Sequence, residues 1–97
     1  MARKIRWSSN ALADLEAIAE YIAQDSPTNA AKVVQKIVST AKGLNRFPHL
    51  GLAVPEAHNP EIRQRLIFHY RLIYRLTSGE IEILSVIHSR RQLGPKV

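Results

Sequence analysis

Between Asn10 and Ser26 the apolar residues Leu12, Leu15, Ile18, Ala19 and Ile22 recur at spacings of three and four, while Asp14, Glu16, Glu20 and Gln24 fall largely on the other side. That period predicts an amphipathic α-helix with one face for a core. Ser8, Ser9 and Asn10, all good N-cap types, stand at its start. A second helix follows almost at once, because Ser26 can cap it and Pro27 suits its first position. Its apolar side carries Ala30, Val34, Ile37, Ala41 and Leu44, and Lys32, Lys36 and Lys42 face solvent. Pro48 disfavours helix at Phe47 and ends it. So short a turn between two helices predicts an antiparallel hairpin.

The remaining pattern is that of strands. "KIRW" alternates briefly, with Ile5 and Trp7 on one face. Residues 48–61 hold Pro48, Pro55, Pro60 and Gly51 and read as one long loop. From Ile62 the period becomes two, predicting strands near 62–68, 70–76 and 80–88 with tight turns at His69 and at Ser78-Gly79. "GPKV" is a tail. The order is β-α-α-β-β-β, an α+β domain spanning 1–97, with the N-terminal strand and the helical hairpin packed on a small antiparallel sheet.

Strand parity assigns faces. Tyr70, Leu72, Tyr74 and Leu76 share one, and Arg71, Ile73 and Arg75 share the other. A two-residue turn at Ser78-Gly79 pairs Leu76 with Ile81, Tyr74 with Ile83 and Tyr70 with Ile87. These should pack on Leu15, Ile18, Ile22, Val34, Ile37 and Ala41 of the helices. The same turn pairs Arg75 with Glu82, Ile73 with Leu84 and Arg71 with Val86 on the open face, near His88. Arg63 and Arg65 are expected to join Arg71, Arg90 and Arg91 there. Arg75 then has an ion-pair partner in Glu82, whereas Arg71 has none in this register. The open face reads as a cationic surface with an apolar floor of Ile73, Leu84 and Val86.

Charge sharpens that reading. The 97 residues carry a formal net charge of +6, and the pI is near 10.2. Asp14, Glu16, Glu20 and Asp25 gather on the first helix, and the rest of the chain is basic. Such a balance suits nucleic acid or an acidic protein as partner. A hydrophobic content of 45% with 23% charged residues belongs to a folded chain. The sequence has no cysteine, which removes disulfides and thiolate zinc sites and fits a cytoplasmic location. No apolar run approaches membrane-spanning length, and no membrane partner is expected. His49, His58, His69 and His88 lack metal-ligand spacing, and there is no Gly-rich phosphate loop, serine nucleophile motif or carboxylate pair. No metal or cofactor is therefore expected.

The stretch "ALADLEAIAEYIAQDSPTNAAKVVQKIVSTAKGLNRFPHLG" resembles the helical hairpin and FPxxG exit of the ParE branch of the RelE/ParE toxin superfamily. "YRLIYRL", followed by "IEILSVIHSRR", is similar to the sheet that closes that fold. The resemblance spans nearly the whole chain. It implies the toxin of a bacterial type II toxin–antitoxin system, of the kind that stabilises plasmids, neutralised by a cognate antitoxin with an acidic or disordered tail. It also implies one of two targets. ParE-like members inhibit DNA gyrase without established nuclease chemistry, whereas RelE-like members cleave mRNA on the ribosome.

RNA cleavage without metal needs a base, an acid and cations around the phosphate. By position, Arg71 and Arg90 match basic residues of RelE-like members, and His88 is the available proton-transfer group. The C-terminal tyrosine usual in RelE-like enzymes is absent from "RRQLGPKV". The long acidic first helix suits contact with a protein better than with ribosomal RNA. The expectation is therefore a ParE-like gyrase inhibitor, with Arg63, Arg65, Arg71, Arg90 and Arg91 binding antitoxin or target. An mRNA interferase and a non-catalytic nucleic-acid-binding module are the alternatives.

Overall fold

Both helices start where a serine can cap them. In the computed structural model, which describes residues 3–91 and residue 93, Ser8 Oγ accepts the Ala11 N–H at 3.0 Å and Ser26 Oγ accepts the Asn29 N–H at 3.1 Å. Each cap satisfies one of the amide donors that a helix start leaves without a partner. The elements are β1 (Lys4–Trp7), α1 (Ser9–Ala23), α2 (Pro27–Gly43), β2 (Leu52–Ala53), a 3-10 turn (Pro55–Ala57), β3 (Ile62–Ile67), β4 (Tyr70–Leu76) and β5 (Glu80–His88). This is the expected α+β order with one addition, the two-residue β2 inside the proline-rich loop.

The five strands form one sheet in the order β1-β5-β4-β3-β2. It is mixed rather than wholly antiparallel, because β1 runs parallel to β5. Strands far apart in sequence have no hairpin turn to fix their direction, so side-chain fit decides. Ile5 lies beside Ile81 and Trp7 beside Ile83, which extends the helix-covered apolar face onto the edge strand.

β4 and β5 pair as expected from Leu76–Ile81 through Arg75–Glu82 to Tyr74–Ile83. There the register breaks: Ile73 pairs with Ser85, and Leu84 becomes the extra residue of a β-bulge. Beyond it every expected pair shifts by one, with Arg71 opposite Ile87 and Tyr70 opposite His88. Val86 consequently joins the main core, and Ile87 packs on the other side of the sheet, the reverse of the parity reading.

The start of α1 is built to hold this bulge. The Leu84 carbonyl accepts from Ser8 Oγ at 3.1 Å and from Asn10 Nδ2 at 3.3 Å. Asp14 Oδ2 accepts from Ser85 Oγ at 2.8 Å and from the Val86 N–H at 3.0 Å. Asp14, expected among the solvent-facing acids, therefore turns toward the sheet. A bulge disrupts the ladder locally, and these three side chains supply bonds to the polar groups beside it.

The main core lies between the helices and the sheet, around Ile37, Ala41, Leu44, Leu72, Tyr74, Ile81 and Ile83, all shielded from solvent. Leu15 and Ile18 pack against it as partly buried residues. Tyr74 is the largest side chain in it, and its hydroxyl is anchored twice. It donates to the Pro48 carbonyl at 3.0 Å and accepts the Gly51 N–H at 2.9 Å. A Cβ on Gly51 would run into the Tyr74 ring and lie 2.8 Å from the Gln64 carbonyl oxygen. Glycine is required there for close approach, and the loop after α2 is thereby fixed to the sheet.

Two substitutions test that anchor by urea denaturation. Tyr74→Ala should cost about 3 kcal/mol or more, as large-to-small core changes do. Tyr74→Phe should cost about 1–3 kcal/mol, because it leaves the Gly51 amide and the Pro48 carbonyl unpaired.

Candidate functional site

The five arginines expected on one face are divided among different tasks. Arg71 is only 7% exposed. Its Nε donates to Gln64 Oε1 at 2.6 Å, and its Nη1 donates to the Arg91 carbonyl at 2.6 Å. The same Nη1 lies 2.8 Å from Glu56 Oε2. Arg71 does have an acidic partner, then, supplied by the proline-rich loop rather than by a neighbouring strand. Glu56 Oε2 also accepts the Leu93 N–H at 3.0 Å. One guanidinium and one carboxylate thus tie together β3, β4, the 3-10 turn and the chain beyond β5.

The apolar floor expected to lie open beside Arg71 is covered by the same segments. Val54 of the loop packs with Ile62, Ile73 and Leu84 in a second, smaller core, and Ala57, Ile87 and Leu93 lie against it. Beside this lid a shallow depression of 410 Å³ remains, bounded by Pro55, Glu56, Gln64, Leu66, Arg71, Ser89, Arg90 and Arg91.

Arg63 and Arg65 are on the opposite side from Arg71. They pair with Tyr74 and Leu72, residues of the helix-facing side. The cause is the β3–β4 turn. Ile67 pairs with Tyr70, so Phe68 belongs to the turn together with His69 rather than to the strand, and the parity of β3 flips. Arg63 Nη1 lies 3.3 Å from the His49 carbonyl and 3.2 Å from that of Gly51, donating to the loop that Tyr74 anchors. Arg75 bonds Glu82 Oε1 at 2.6 Å, the expected cross-strand pair, and Arg6 of β1 bonds the other oxygen at 2.9 Å.

Three expected residues remain together and outward. His88, Arg90 and Arg91 are exposed where β5 ends. His88 Nδ1 accepts the Arg90 N–H at 3.2 Å. The His88 ring stacks on His69 with centroids 6.3 Å apart and meets Tyr70 edge-on at 6.1 Å. Among the described residues neither Arg90 nor Arg91 pairs with a carboxylate. Among those residues no group of three or more His, Cys, Asp or Glu could hold a metal ion, and no helix among them is long and apolar enough to cross a membrane. Strand periodicity had no means of finding Glu56 and Gln64. Glu56 lies in a segment without regular pattern, and Gln64 becomes Arg71's neighbour only through the turn that flips β3.

The Arg71 guanidinium, with the Leu93 amide, lowers the Glu56 pKa from 4.5 to about 2. The folded state therefore binds this proton less readily than the unfolded chain. The resulting stabilisation is fully present above about pH 4.5 and is lost as pH falls toward 2. Glu56→Gln should lower stability by about 2 kcal/mol at neutral pH, since it removes one partner of a mostly buried pair. The gap between variant and wild type should narrow steadily from pH 4.5 toward pH 2 in urea titrations. A gap independent of pH would mean that the charge on Glu56 does not matter.

Comparison with known proteins agrees with this architecture. Residues 5–93 match the family described as ParE toxin of type II toxin-antitoxin system, parDE. The chain is 37% identical over 93 residues to Y4kP of Sinorhizobium fredii, a protein named as a candidate toxin, with 95% of each chain covered. It is 28% identical over 89 residues to Toxin RelE2 of Caulobacter vibrioides, covering 91% of this chain and 97% of the relative. Among solved structures, the chromosomal ParDE toxin–antitoxin system from P. aeruginosa superposes with a TM-score of 0.74 at 29% identity, over 90% of this chain and 96% of that one. The YoeB dimer of Staphylococcus aureus shares the fold, with a TM-score of 0.61 at 22% identity over 91% and 98% of the two chains. Caps, hairpin, mixed sheet and family match converge on one conclusion: this chain belongs to the ParE toxin family and is the toxin component of a type II toxin–antitoxin system.

Proposed function

We propose that this toxin arrests growth by binding and inhibiting DNA gyrase rather than by cutting mRNA. The observation that carries the reading is the burial of Arg71. A cation that stabilises a cleaved phosphate must be free to meet it. Arg71 is instead 7% exposed and bonded to Gln64, Glu56 and the Arg91 carbonyl. Removing it from those partners would leave Glu56 without the charge that holds its proton off. Of the residues that an RNA-cleaving reading requires, Arg90 and His88 are accessible, and Arg71 is committed elsewhere.

The surface charge points the same way. Glu16, Glu20 and Asp25 are exposed along and just after α1, where they would repel a phosphate backbone. The plain nucleic-acid-binding alternative loses Tyr74 as a stacking surface, because that ring is fully buried and hydrogen-bonded. The partner that silences the toxin is a cognate antitoxin, and the net charge of +6 suits an acidic tail on it. Gyrase places the site of action in the cytoplasm.

A relative named Toxin RelE2 keeps mRNA cleavage as the competing reading, and one pair of assays separates the two. Purified toxin should inhibit plasmid supercoiling by gyrase and leave ribosome-bound mRNA intact, and induced cells should filament with a DNA-damage response. Codon-positioned mRNA cleavage with unimpaired supercoiling would replace gyrase by the ribosome as target.

A further inference from the structure

We propose that the β3–β4 turn and the chain just past β5 form the surface that grips the toxin's target, and that the target presents there an acidic protein segment with an apolar anchor. The gyrase reading supplies only the name of that target.

The first observation is a bulky residue at a turn position that demands strained backbone, since a two-residue hairpin loop needs a positive φ at its first residue. Phe68 is the first residue of the two-residue loop between Ile67 and Tyr70, and its φ is +54°. Glycine or asparagine is at ease in that region, whereas a bulky side chain is an outlier. Packing does not compensate, since Phe68 is 63% exposed. Among the described residues with a large exposed apolar side chain, Phe68 alone combines exposure with this backbone. Strained residues tend to cluster at functional sites, and an aromatic ring held outward on a tight turn is a suitable anchor for a protein contact.

The second observation is what surrounds it. Leu66, two residues earlier, is 59% exposed and lines the same depression as Arg90 and Arg91. The Ser89 N–H donates to the His69 carbonyl at 2.7 Å, fastening the turn to the end of β5. The nearby carboxylate, Glu56, is already committed to Arg71. This end of the molecule thus offers Leu66 in one depression with two arginines that meet no carboxylate among the described residues, and an exposed Phe68 on the turn fastened to the same end of β5. An acidic segment with one apolar residue complements it. Nucleic acid fits less well, because Phe68 offers one open ring for stacking while Leu66 is aliphatic and the Tyr70 and His88 rings are engaged with each other.

The test compares folded variants. Phe68→Asn suits the turn better than phenylalanine, so its melting temperature should equal or exceed that of wild type. Its half-inhibitory concentration against gyrase holoenzyme supercoiling should nevertheless rise about tenfold or more, and growth arrest on induction should be lost. Leu66→Ser should weaken inhibition in the same direction. The double change Arg90→Glu with Arg91→Glu should lose more inhibition at about 50 mM than at about 300 mM salt. Wild-type inhibition and arrest by folded Phe68→Asn would overturn the proposal. So would Phe68-dependent binding of a labelled DNA or RNA oligonucleotide at about 150 mM salt, where a nucleic-acid surface would still bind. Should wild type leave supercoiling untouched, the gyrase reading fails alone. Growth arrest then decides: its loss in Phe68→Asn supports the surface, and its persistence overturns it.

Discussion

A buried guanidinium sets the organisation of the face away from the helices. Arg71 is shielded from water, and burying a charge is costly unless partners replace its hydration. Here Gln64, Glu56 and the Arg91 carbonyl replace it. Each partner comes from a different part of the chain, so satisfying one cation fixes the positions of a strand, a loop and the segment after β5. The loop brings Val54 and Ala57 onto Ile62 and Ile73, closing a second core that the sheet alone would leave open. Pair and lid depend on each other. Without the lid Arg71 would be solvated and weakly held, and without Arg71 the loop would lose the ion pair that ties it to the sheet.

The helix-packed side relies on a different device with the same logic. An extra residue at Leu84 shifts the end of β5 by one position, which sends Val86 inward to the helices and Ile87 outward to the lid. Ser8, Asn10 and Asp14 supply hydrogen bonds to the polar groups around the bulge. The first turns of α1 therefore specify where the bulge lies, and the bulge in turn helps fill both cores. Ser8 serves twice, as helix cap through its acceptor and as bulge clamp through its donor. Functional consequence follows from this geometry. Of the arginines expected on the open face, Arg90 and Arg91 are the ones left exposed, and they stand near the Phe68 turn where β5 ends rather than across the sheet face.

Periodicity revealed much of the fold. A cap for the first helix among Ser8, Ser9 and Asn10 (it is Ser8), the Ser26 cap, both helices, the long strands, the Ser78-Gly79 hairpin and the Arg75–Glu82 pair are all local or near-local features, and each is as expected. The errors share one origin. Parity propagates a single unseen residue along a whole strand. Reading Phe68 as strand moved Arg63 and Arg65 to the wrong face, and missing the bulge at Leu84 exchanged Val86 and Ile87. The parallel placement of β1 and the Glu56–Arg71 pair are long-range choices for which no local pattern exists. The candidate site was therefore legible in its residue types and not in its arrangement. Arginine abundance pointed to an anionic partner, and in Arg71's case that partner is the chain's own glutamate.

The most direct measurement asks whether a toxin without the Arg71 guanidinium still acts. Replacing both charged partners together, Arg71→Met with Glu56→Gln, removes the buried ion pair without stranding either charge, a change that is often close to neutral for stability. Growth arrest and supercoiling inhibition are then measured on protein that keeps the wild-type circular dichroism and cooperative melting. If Arg71 is a structural tie, the double variant stays toxic. A non-toxic double variant that also keeps wild-type amide chemical shifts at Ser89, Arg90 and Arg91 would show that Arg71 acts on the target itself rather than by holding that segment, and the gyrase reading drawn from its burial would have to be abandoned.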